Sequence, residues 1–365
     1  MNAFTKDDLK RFQAESLNEK IDRSLAKIGE WYSHWDNEVY VAFSGGKDST
    51  VLADLCANWC SIIGKPLYMV FVNTGLEYPE IQKHVKTYAD YLRNKYSIDV
   101  QLDIIRPQMR FDEVIKQYGY PMISKEVSKV VSAARRLDSK FGMVCRDRLN
   151  GTHKQQDGNA SLFNCAKYQP MINLDFNVSD ACCGIMKKKP SHDYAKRTGR
   201  KCITATMADE SRLRTQQWIK HGCNGFDLTT PVSNPMSFWT EQDVLHYIKK
   251  YDLPLASVYG NICYSTEPEQ IRFDDIGVDC GVDDDLRTTG ARRTGCIFCG
   301  FGCHLEDSPS RFERLKQTHP RQYEYCMEGG EYNQDGVWVP NEKGLGMRHV
   351  FEELNKIYGD GFIKY

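Results

Sequence analysis

The chain has 365 residues, of which 27% are charged and 41% hydrophobic, and 48 Lys and Arg against 49 Asp and Glu leave a net charge of −1. This composition excludes wholesale disorder and a uniformly basic nucleic-acid binder. No apolar run approaches the ~20 residues that a membrane span needs, and the N-terminus has no apolar signal core. We therefore expect a cytoplasmic protein without membrane contact.

An amphipathic helix is predicted over residues 5–36, with Thr5 as its N-cap. After it, strands alternate with helices: the predicted strands are 38–43, 67–73, 98–105 and 202–206, and the predicted helices are 51–63, 79–95 and 240–251. Near-continuous apolar strands in this alternation predict an α/β fold, a doubly wound and mostly parallel sheet covered on both faces.

Three segments are predicted from these patterns: an N-terminal helical segment (1–36), a nucleotide-binding α/β domain (37–260) and a cysteine-rich loop module with C-terminal helices (261–365). Residues 262–310 have many Gly, Asp and Cys and little periodicity, which indicates a module held by something other than a core. Helical pieces follow near 309–326 and 346–358.

Charge is uneven along the chain. Residues 121–154 and 181–221 are rich in Lys and Arg, whereas residues 267–285 are acidic. These runs are either ordinary solvated faces or a basic wall over a phosphate-bearing ligand.

A phosphate-binding loop is the strongest motif. Ser44-Gly45-Gly46-Lys47-Asp48-Ser49 joins a predicted strand to a predicted helix. Such a turn directs backbone N–H groups and the positive helix end at an anion, and the two glycines allow close approach. The sequence is not GxxxxGK[ST], so a kinase-type site is not implied.

This loop resembles the PP-loop of the ATP-pyrophosphatase superfamily, whose members split ATP between the α- and β-phosphates. Five further segments resemble the phosphoadenosine-phosphosulfate (PAPS) reductase-like branch. They are Asn73–Glu80 (DTGxxxPE in the branch), Tyr118–Pro121 (YGxP), Cys182–Pro190 (CCxxxKxxP), Asp209–Arg214 (the end of GxRxxESxxR) and Asn234–Val244 (PxxxWTxxDV). The resemblance implies an adenine nucleotide α-hydrolase-like fold.

The same resemblance implies a site for ATP with magnesium. The residues expected in catalysis are Lys47, Asp48 and Ser49. Those expected to bind nucleotide are Ser44, Gly45, Gly46, Lys47, Asp48, Ser49, Asn73, Thr74, Gly75, Glu210 and Arg214. Adenine and ribose are expected near Asn73–Gly75, since ligands of doubly wound sheets bind beyond the carboxyl ends of strands.

Four departures from the branch bear on function. Asn73 replaces the Asp of DTG, and Met207 replaces an expected Arg. The PP-loop is intact, whereas it is degraded in most PAPS and adenosine-phosphosulfate (APS) reductases, and the final residues GDGFIKY lack their ECGxH cysteine. The last two departures favour ATP cleavage over sulfonucleotide reduction.

Fourteen cysteines in such a chain favour metal or redox chemistry. Cys56 and Cys60, inside an apolar helical stretch, are nevertheless predicted to be buried as small hydrophobic residues. Cys296-x2-Cys299-x3-Cys303 has the spacing of a metal site, and vicinal Cys182 and Cys183 can bind different irons of one cluster.

The CC…CxxC arrangement resembles the [4Fe–4S] APS reductases, which implies the ligands Cys182, Cys183, Cys296 and Cys299. The alternative is a structural zinc site of Cys296, Cys299 and Cys303 with Cys263 or Cys280. Cys303, Cys263, Cys280 and Cys165 are spare thiols, so three or four cluster ligands are both allowed.

Three functions compete. The first is an ATP-dependent sulfurtransferase that adenylates an acceptor and replaces AMP with sulfur, as in the branch members of DNA phosphorothioation systems. It would need a sulfur donor such as a cysteine desulfurase and an acceptor, either a nucleic acid (DNA or tRNA) or a small metabolite. The second is an APS/PAPS reductase, and the third a redox-sensing nucleotide-binding module. A homodimer is compatible with all three.

Overall fold

The computed structural model describes residues 3–136, 139–265 and 285–365. The chain forms two compact units. Unit 1 contains Met1–Asn73, Glu77–Arg106 and Ser191–Thr294, and unit 2 contains Thr74–Leu76, Pro107–Pro190 and Gly295–Tyr365. Residues 37–260 thus contribute to both units, and the three-segment division stays a prediction.

The described helices are, in chain order, α1 (Lys6–Gln13), α2 (Leu17–His34), α3 (Lys47–Ile63), α4 (Pro79–Tyr96), α5 (Phe111–Tyr118), α6 (Lys125–Ala134), α7 (Lys140–Asn150), α8 (Ala181–Cys183), α9 (Lys189–Thr198), α10 (Arg212–His221), α11 (Glu241–Tyr251), α12 (Arg311–Thr318), α13 (Pro320–Met327) and α14 (Met347–Tyr358). The described strands are β1 (Val39–Ala42), β2 (Leu67–Val72), β3 (Val100–Ile105), β4 (Met122–Ile123), β5 (Lys201–Ile203), β6 (Asn224–Gly225), β7 (Val232–Ser233), β8 (Ile262–Tyr264), β9 (Leu286–Thr288), β10 (Gly300–Phe301), β11 (Glu331–Tyr332) and β12 (Trp338–Val339).

The N-terminal segment is two helices, so the prediction of one helix over residues 5–36 is wrong. Thr5 caps α1 and forms a capping box with Asp8. Ser16 starts α2 with a second capping box, in which Glu19 accepts from the Ser16 backbone N–H at 2.8 Å. A Ser-x-x-Glu pattern satisfies the N–H groups of a new helix start, and this local preference overrides the continuing apolar periodicity.

The sheet of unit 1 confirms the predicted fold class. Among the described residues its strand order is β3-β2-β1-β5-β7-β6, and neighbours are parallel except for β6 and β7. Val39 and Val41 join a core with helix residues such as Val51 and Ile81. Tyr40 points to the opposite face, where Tyr194 of α9 packs against it. Helices therefore cover both faces of the sheet.

Unit 2 surrounds a second group of buried aromatic and aliphatic side chains, including Tyr120, Phe312 and Phe351. Its described residues form helices with two short strand pairs, β4 with β10 in parallel and β11 with β12 antiparallel. Arg135 donates hydrogen bonds to the carbonyls of Phe176 and Leu174 at 2.7 and 2.8 Å, which joins α6 to the segment before Cys182.

No helix in the described ranges is both long enough and apolar enough to cross a membrane.

Candidate functional site

The phosphate loop lies where the strand order of the sheet reverses. Chain order runs outward from β1 through β2 to β3 on one side, and β5 pairs with β1 on the other. The loop Ser44–Ser49 follows β1 and leads into α3. Ligands of open α/β sheets bind at this reversal, beyond the carboxyl ends of the strands.

Hydrogen bonds between its serines and glycines hold the loop. The Gly46 N–H donates to Ser44 Oγ at 3.3 Å, and the Ser49 hydroxyl donates to the Gly46 carbonyl at 2.9 Å. The two hydroxyl oxygens are 3.0 Å apart. The first intrahelical bond of α3 is from Thr50 N–H to the Gly46 carbonyl. The N–H groups of the first turn therefore precede the helix ladder, and those of Asp48 and Ser49 can donate to an anion.

Gly45 needs to be a glycine for two reasons. Its φ of +73° is in the left-handed region, and a Cβ there would lie 2.8 Å from methyl groups of Ile81 and Val85 on α4. The backbone of the loop thus packs directly on a neighbouring helix, which fixes its position at the end of β1.

Lys47 is buried, with 4% of its surface exposed, and its ammonium contacts two carboxylates. Nζ lies 3.2 Å from Asp48 Oδ1 and 3.2 Å from Glu241 Oε1. Burial favours a lower pKa for Lys47, but Asp48 and Glu241 outweigh it and raise the pKa. Arg292 contacts the other oxygen of Glu241 at 2.7 Å. Lys47 is therefore a preorganised cation at the loop.

A buried tyrosine closes the start of α3. The Lys47 N–H donates to the Tyr259 hydroxyl at 3.0 Å, and that hydroxyl lies 2.6 Å from Thr294 Oγ1. Tyr259 is 1% exposed, and burial raises its pKa. This neutral hydroxyl occupies one of the N–H groups that could otherwise contact a phosphate.

The other predicted nucleotide contacts lie at strand ends. Glu210 and Arg214 form an ion pair after β5, and Glu210 also accepts from the Met207 N–H at 3.0 Å. The pKa of Asp48 is raised mainly by burial, against the effect of Lys47, and the charge of Glu210 adds to the rise. Asp48 and Glu210 are thus close enough for their charges to interact.

Asn73 directly follows β2 and lines a cavity of about 480 Å³ in unit 1, together with the exposed cations Lys83, Lys86 and Arg106. Thr74 and Gly75 belong to unit 2. There the Thr74 hydroxyl accepts from the Leu76 N–H at 3.2 Å, and Gly75 has a φ of +74°. The two residues form a turn after the second strand.

The predicted metal ligands all lie in unit 2. Cys182 and Cys183 form the short helix α8, which continues into a π-helical turn over Gly184–Lys188. Cys296 and Cys299 share a turn in which Cys299 N–H donates to the Cys296 carbonyl at 3.1 Å. The π-helical turn over Gly184–Lys188 is of a kind that is frequent at functional sites.

Pairing of β4 with β10 explains the position of Cys299. Met122 is opposite Gly300 in the parallel register, directly after Cys299. A Cβ on Gly300 would lie 2.4 Å from Met122 Sδ, so glycine permits this pairing. Arg311 donates to the Cys299 carbonyl at 3.0 Å.

The four thiols are electrostatic neighbours. A hydrogen bond with Cys183 and burial raise the pKa of Cys182, and Cys299 and Cys296 add to the rise. The same hydrogen bond lowers the pKa of Cys183 to about 6 against the effect of burial, with help from Lys125 and Lys187.

In the ranges that the structure describes, no three His, Cys, Asp or Glu side chains are arranged to hold a metal ion. Four soft sulfur donors with cationic neighbours nevertheless have the chemistry that an iron–sulfur cluster needs. The cluster and its ligand set remain predictions.

The spare cysteines differ in position. Cys303 is 1% exposed and its thiol donates to the Gly300 carbonyl at 3.1 Å, and burial raises its pKa to about 12. Cys165 lies in unit 2, whereas Cys263 lies on β8 of unit 1. Cys280 lies outside the described residues. Cys56 and Cys60 are fully buried in α3, as predicted.

Four residues at the phosphate loop were not singled out from the sequence: Glu241, Tyr259, Arg292 and Thr294. Glu241 falls within the WTEQDV segment, and its place at the first position of α11 could have suggested it. The others come from segments without a motif. Tyr259 is 212 residues from its partner Lys47 in the loop, whereas Thr294 and Arg292 reach the loop only through Tyr259 and Glu241.

Comparison with known proteins shows a similarity for part of the chain. Residues 38–145 match the model of the phosphoadenosine phosphosulfate reductase domain. The uncharacterized protein MJ0066 of Methanocaldococcus jannaschii is 38% identical over 109 residues, which are 29% of this chain and 20% of that protein. The chain thus matches one fifth of that relative's length.

Among solved structures, NMN synthetase from Francisella tularensis aligns at 13% identity and a TM-score of 0.30, over 66% of this chain and 72% of that one. Likeness at that level carries no argument. The domain match covers the phosphate loop and the strands β1 to β3, which lie side by side in the parallel sheet.

Proposed function

We propose that the protein is an ATP-dependent sulfurtransferase that cleaves ATP to AMP and pyrophosphate and adenylates an acceptor. The observation that carries the proposal is the intact Ser44–Ser49 loop at the reversal of strand order, in which the buried Lys47 contacts two carboxylates. This loop is degraded in most PAPS and APS reductases, so a reductase activity does not explain why it is intact here.

The loop residues have separate roles in the proposed reaction. N–H groups at the start of α3 and the serine hydroxyls would hold the phosphates. An acceptor oxygen attacks the α-phosphorus, the bond from that phosphorus to the bridging oxygen breaks, and pyrophosphate leaves with its negative charge. Lys47 stabilises this charge as it develops. ATP brings its magnesium ion, for which Asp48 is the carboxylate within the loop.

Sulfur transfer is the second half of the proposal. Cys182, Cys183, Cys296 and Cys299 would hold an iron–sulfur cluster. With all four as ligands the cluster would supply electron transfer, and with three of them it would leave one iron able to bind sulfide. Lys125 and Lys187 favour the anionic thiolate at Cys183. A donor such as a cysteine desulfurase would deliver persulfide sulfur, which a thiol reductant reduces by two electrons to hydrosulfide. The hydrosulfide would then bond to the adenylated atom of the acceptor, a nucleic acid or a small metabolite, while the bond from that atom to the AMP oxygen breaks and AMP leaves.

Pyrophosphate release from ATP tests the first half. We expect Lys47→Ala to lower the rate of pyrophosphate release by about 10²-fold or more, because it removes the positive charge that stabilises the leaving pyrophosphate in the transition state. Lys65→Ala is the matched control, since Lys65 is exposed just beyond the other end of α3. Equal rates for Lys47→Ala and the wild type contradict the assignment.

Iron and sulfide content of anaerobically purified protein tests the second half. Cys182→Ser and Cys296→Ser should each remove the broad visible absorption of a cluster, whereas Cys56→Ser should retain it. About one zinc with no iron supports the structural zinc alternative. Iron retained in full by Cys182→Ser and Cys183→Ser contradicts the ligand set.

The product of the reaction distinguishes the reductase alternative from the proposed sulfurtransferase. An APS or PAPS reductase releases sulfite from the sulfonucleotide in the presence of thioredoxin. We expect no sulfite from either substrate, because the Ser44–Ser49 loop is intact, and sulfite release would restore this alternative.

A further inference from the structure

A group of exposed apolar side chains lies on unit 2, away from both sets of motif residues in the sequence. It consists of Phe141 and Met143 on α7 and Leu162 and Phe163 in the following loop, which are 50%, 53%, 89% and 70% exposed. We call these four residues the aromatic patch. Burial of a large apolar side chain normally stabilises a fold. A group of such side chains left in solvent therefore points to a binding partner.

The loop that carries Leu162 and Phe163 is held in shape. Arg148 Nε donates to the Phe163 carbonyl at 2.9 Å, and the Phe163 N–H donates to Ser161 Oγ at 3.2 Å. The Ser161 N–H donates in turn to the His153 carbonyl at 2.9 Å. These bonds fix the backbone while the ring stays in solvent. The exposed position of Phe163 is therefore built into the loop.

Each phenylalanine of the patch has a cation over its ring. The Arg148 guanidinium lies 5.7 Å from the centroid of Phe163, and Lys129 Nζ lies 5.4 Å from that of Phe141. Arg148 also contacts Glu126 at 2.8 Å. Glu126 and Lys129 are three residues apart on α6 and so share one face of that helix. The two aromatic–cation pairs therefore lie along one ridge.

The surroundings of the ridge are basic. Residues 139–167 contain five Lys and Arg against two Asp, and Lys129, Lys140 and Lys154 are exposed. A second copy of this chain would bring the same positive charge against itself, which opposes self-association through this face. Rings interleaved with cations instead match a single nucleic-acid strand, whose bases stack on aromatic side chains and whose phosphates contact lysines.

We propose that the aromatic patch and its flanking lysines bind single-stranded nucleic acid. Binding requires only this surface. Its meaning as the docking site of a sulfur acceptor rests on the proposed function.

The test is fluorescence anisotropy of the full chain with labelled oligothymidylate and oligouridylate, without ATP. We expect at least one of the two single strands to bind saturably. The duplex formed by that strand and its complement should bind more weakly. Phe163→Ala should weaken binding about tenfold, since one base–aromatic stack contributes about that factor. Lys129→Ala should lower the magnitude of the salt slope by about 0.7, the value for one phosphate contact to a single strand.

Two further variants make the result specific. Phe163→Trp should retain binding, and its fluorescence should be quenched when a base stacks on it. Ile62→Ala is the control, because Ile62 is 66% exposed on α3 of unit 1. Its affinity should equal that of the wild type.

The proposal is overturned if neither strand binds at low salt, or if Phe163→Ala and Ile62→Ala bind equally well. It is also overturned if Phe163→Ala changes only a self-association measured by sedimentation, because the patch would then contact protein. Because no ATP is present, a failure here is distinguishable from a failure of ATP cleavage, which the pyrophosphate assay detects separately.

Discussion

Replacing Gly45 by alanine tests how the loop is fixed at the end of β1. An alanine at φ +73° is in left-handed backbone, which costs about 1–2 kcal/mol. Its Cβ would also lie 2.8 Å from Ile81 Cγ2 and Val85 Cγ2, well inside normal contact, and such overpacking costs about 1–3 kcal/mol. Gly45→Ala should therefore lower the free energy of unfolding by about 2–5 kcal/mol.

Gly64 provides a matched control at the C-terminal end of the same helix. Its φ is +63°, but no atom lies within 4 Å of where its Cβ would be. Gly64→Ala should therefore incur only the backbone strain of about 1–2 kcal/mol. The difference between the two variants isolates the contact of the loop with α4.

Urea unfolding followed by tryptophan fluorescence measures this difference, because five of the six tryptophans lie in unit 1. Gly45→Ala should also bind ATP more weakly, since its loop must shift away from α4. Equal destabilisation by Gly45→Ala and Gly64→Ala would show that the close packing of the loop on α4 is absent.

Two more predictions concern buried polar groups of unit 1. His84 is 5% exposed and burial lowers its pKa from 6.5 to about 4, so the unfolded chain binds the extra proton. Stability should fall by up to about 3 kcal/mol as pH drops from ~6.5 through ~4, and His84→Gln should lose this dependence in pH-resolved urea titrations. The carboxylate of Asp54 accepts from Lys95 and from the Tyr247 hydroxyl, each at 2.8 Å. Lys95→Met should lower the free energy of unfolding by about 3–5 kcal/mol, because it leaves the buried Asp54 charge without its cation. Tyr247→Phe removes one hydrogen bond to Asp54 and should lower it by about 2 kcal/mol. A larger loss for Tyr247→Phe in urea unfolding would contradict this account of Asp54.

The core of the sheet was predictable because its signals are local. Apolar strands such as residues 67–73 and capped helices such as that begun by Thr240 are specified by neighbouring residues, and the structure has them within a few positions. The helices of unit 2 before Cys182 were not predicted. Their sequences mix basic residues with short apolar runs, and burial in unit 2 selects the helix there.

The candidate site was predictable where one segment supplies it. The Ser44–Ser49 loop follows from six consecutive residues. Tyr259 and Glu241, which contact Lys47, come from distant parts of the chain, and only the folded sheet brings them to the loop. The division into two units was also hidden, because the chain passes between them at turns such as Thr74–Leu76.

The most direct test of the central claim is the identity of the phosphates formed from ATP, followed by ³¹P NMR during turnover. Cleavage between the α- and β-phosphates gives AMP and pyrophosphate, and we predict these resonances in the wild type and their loss in Lys47→Ala. ADP and inorganic phosphate as the main products would contradict the account, because they require cleavage at the terminal phosphate.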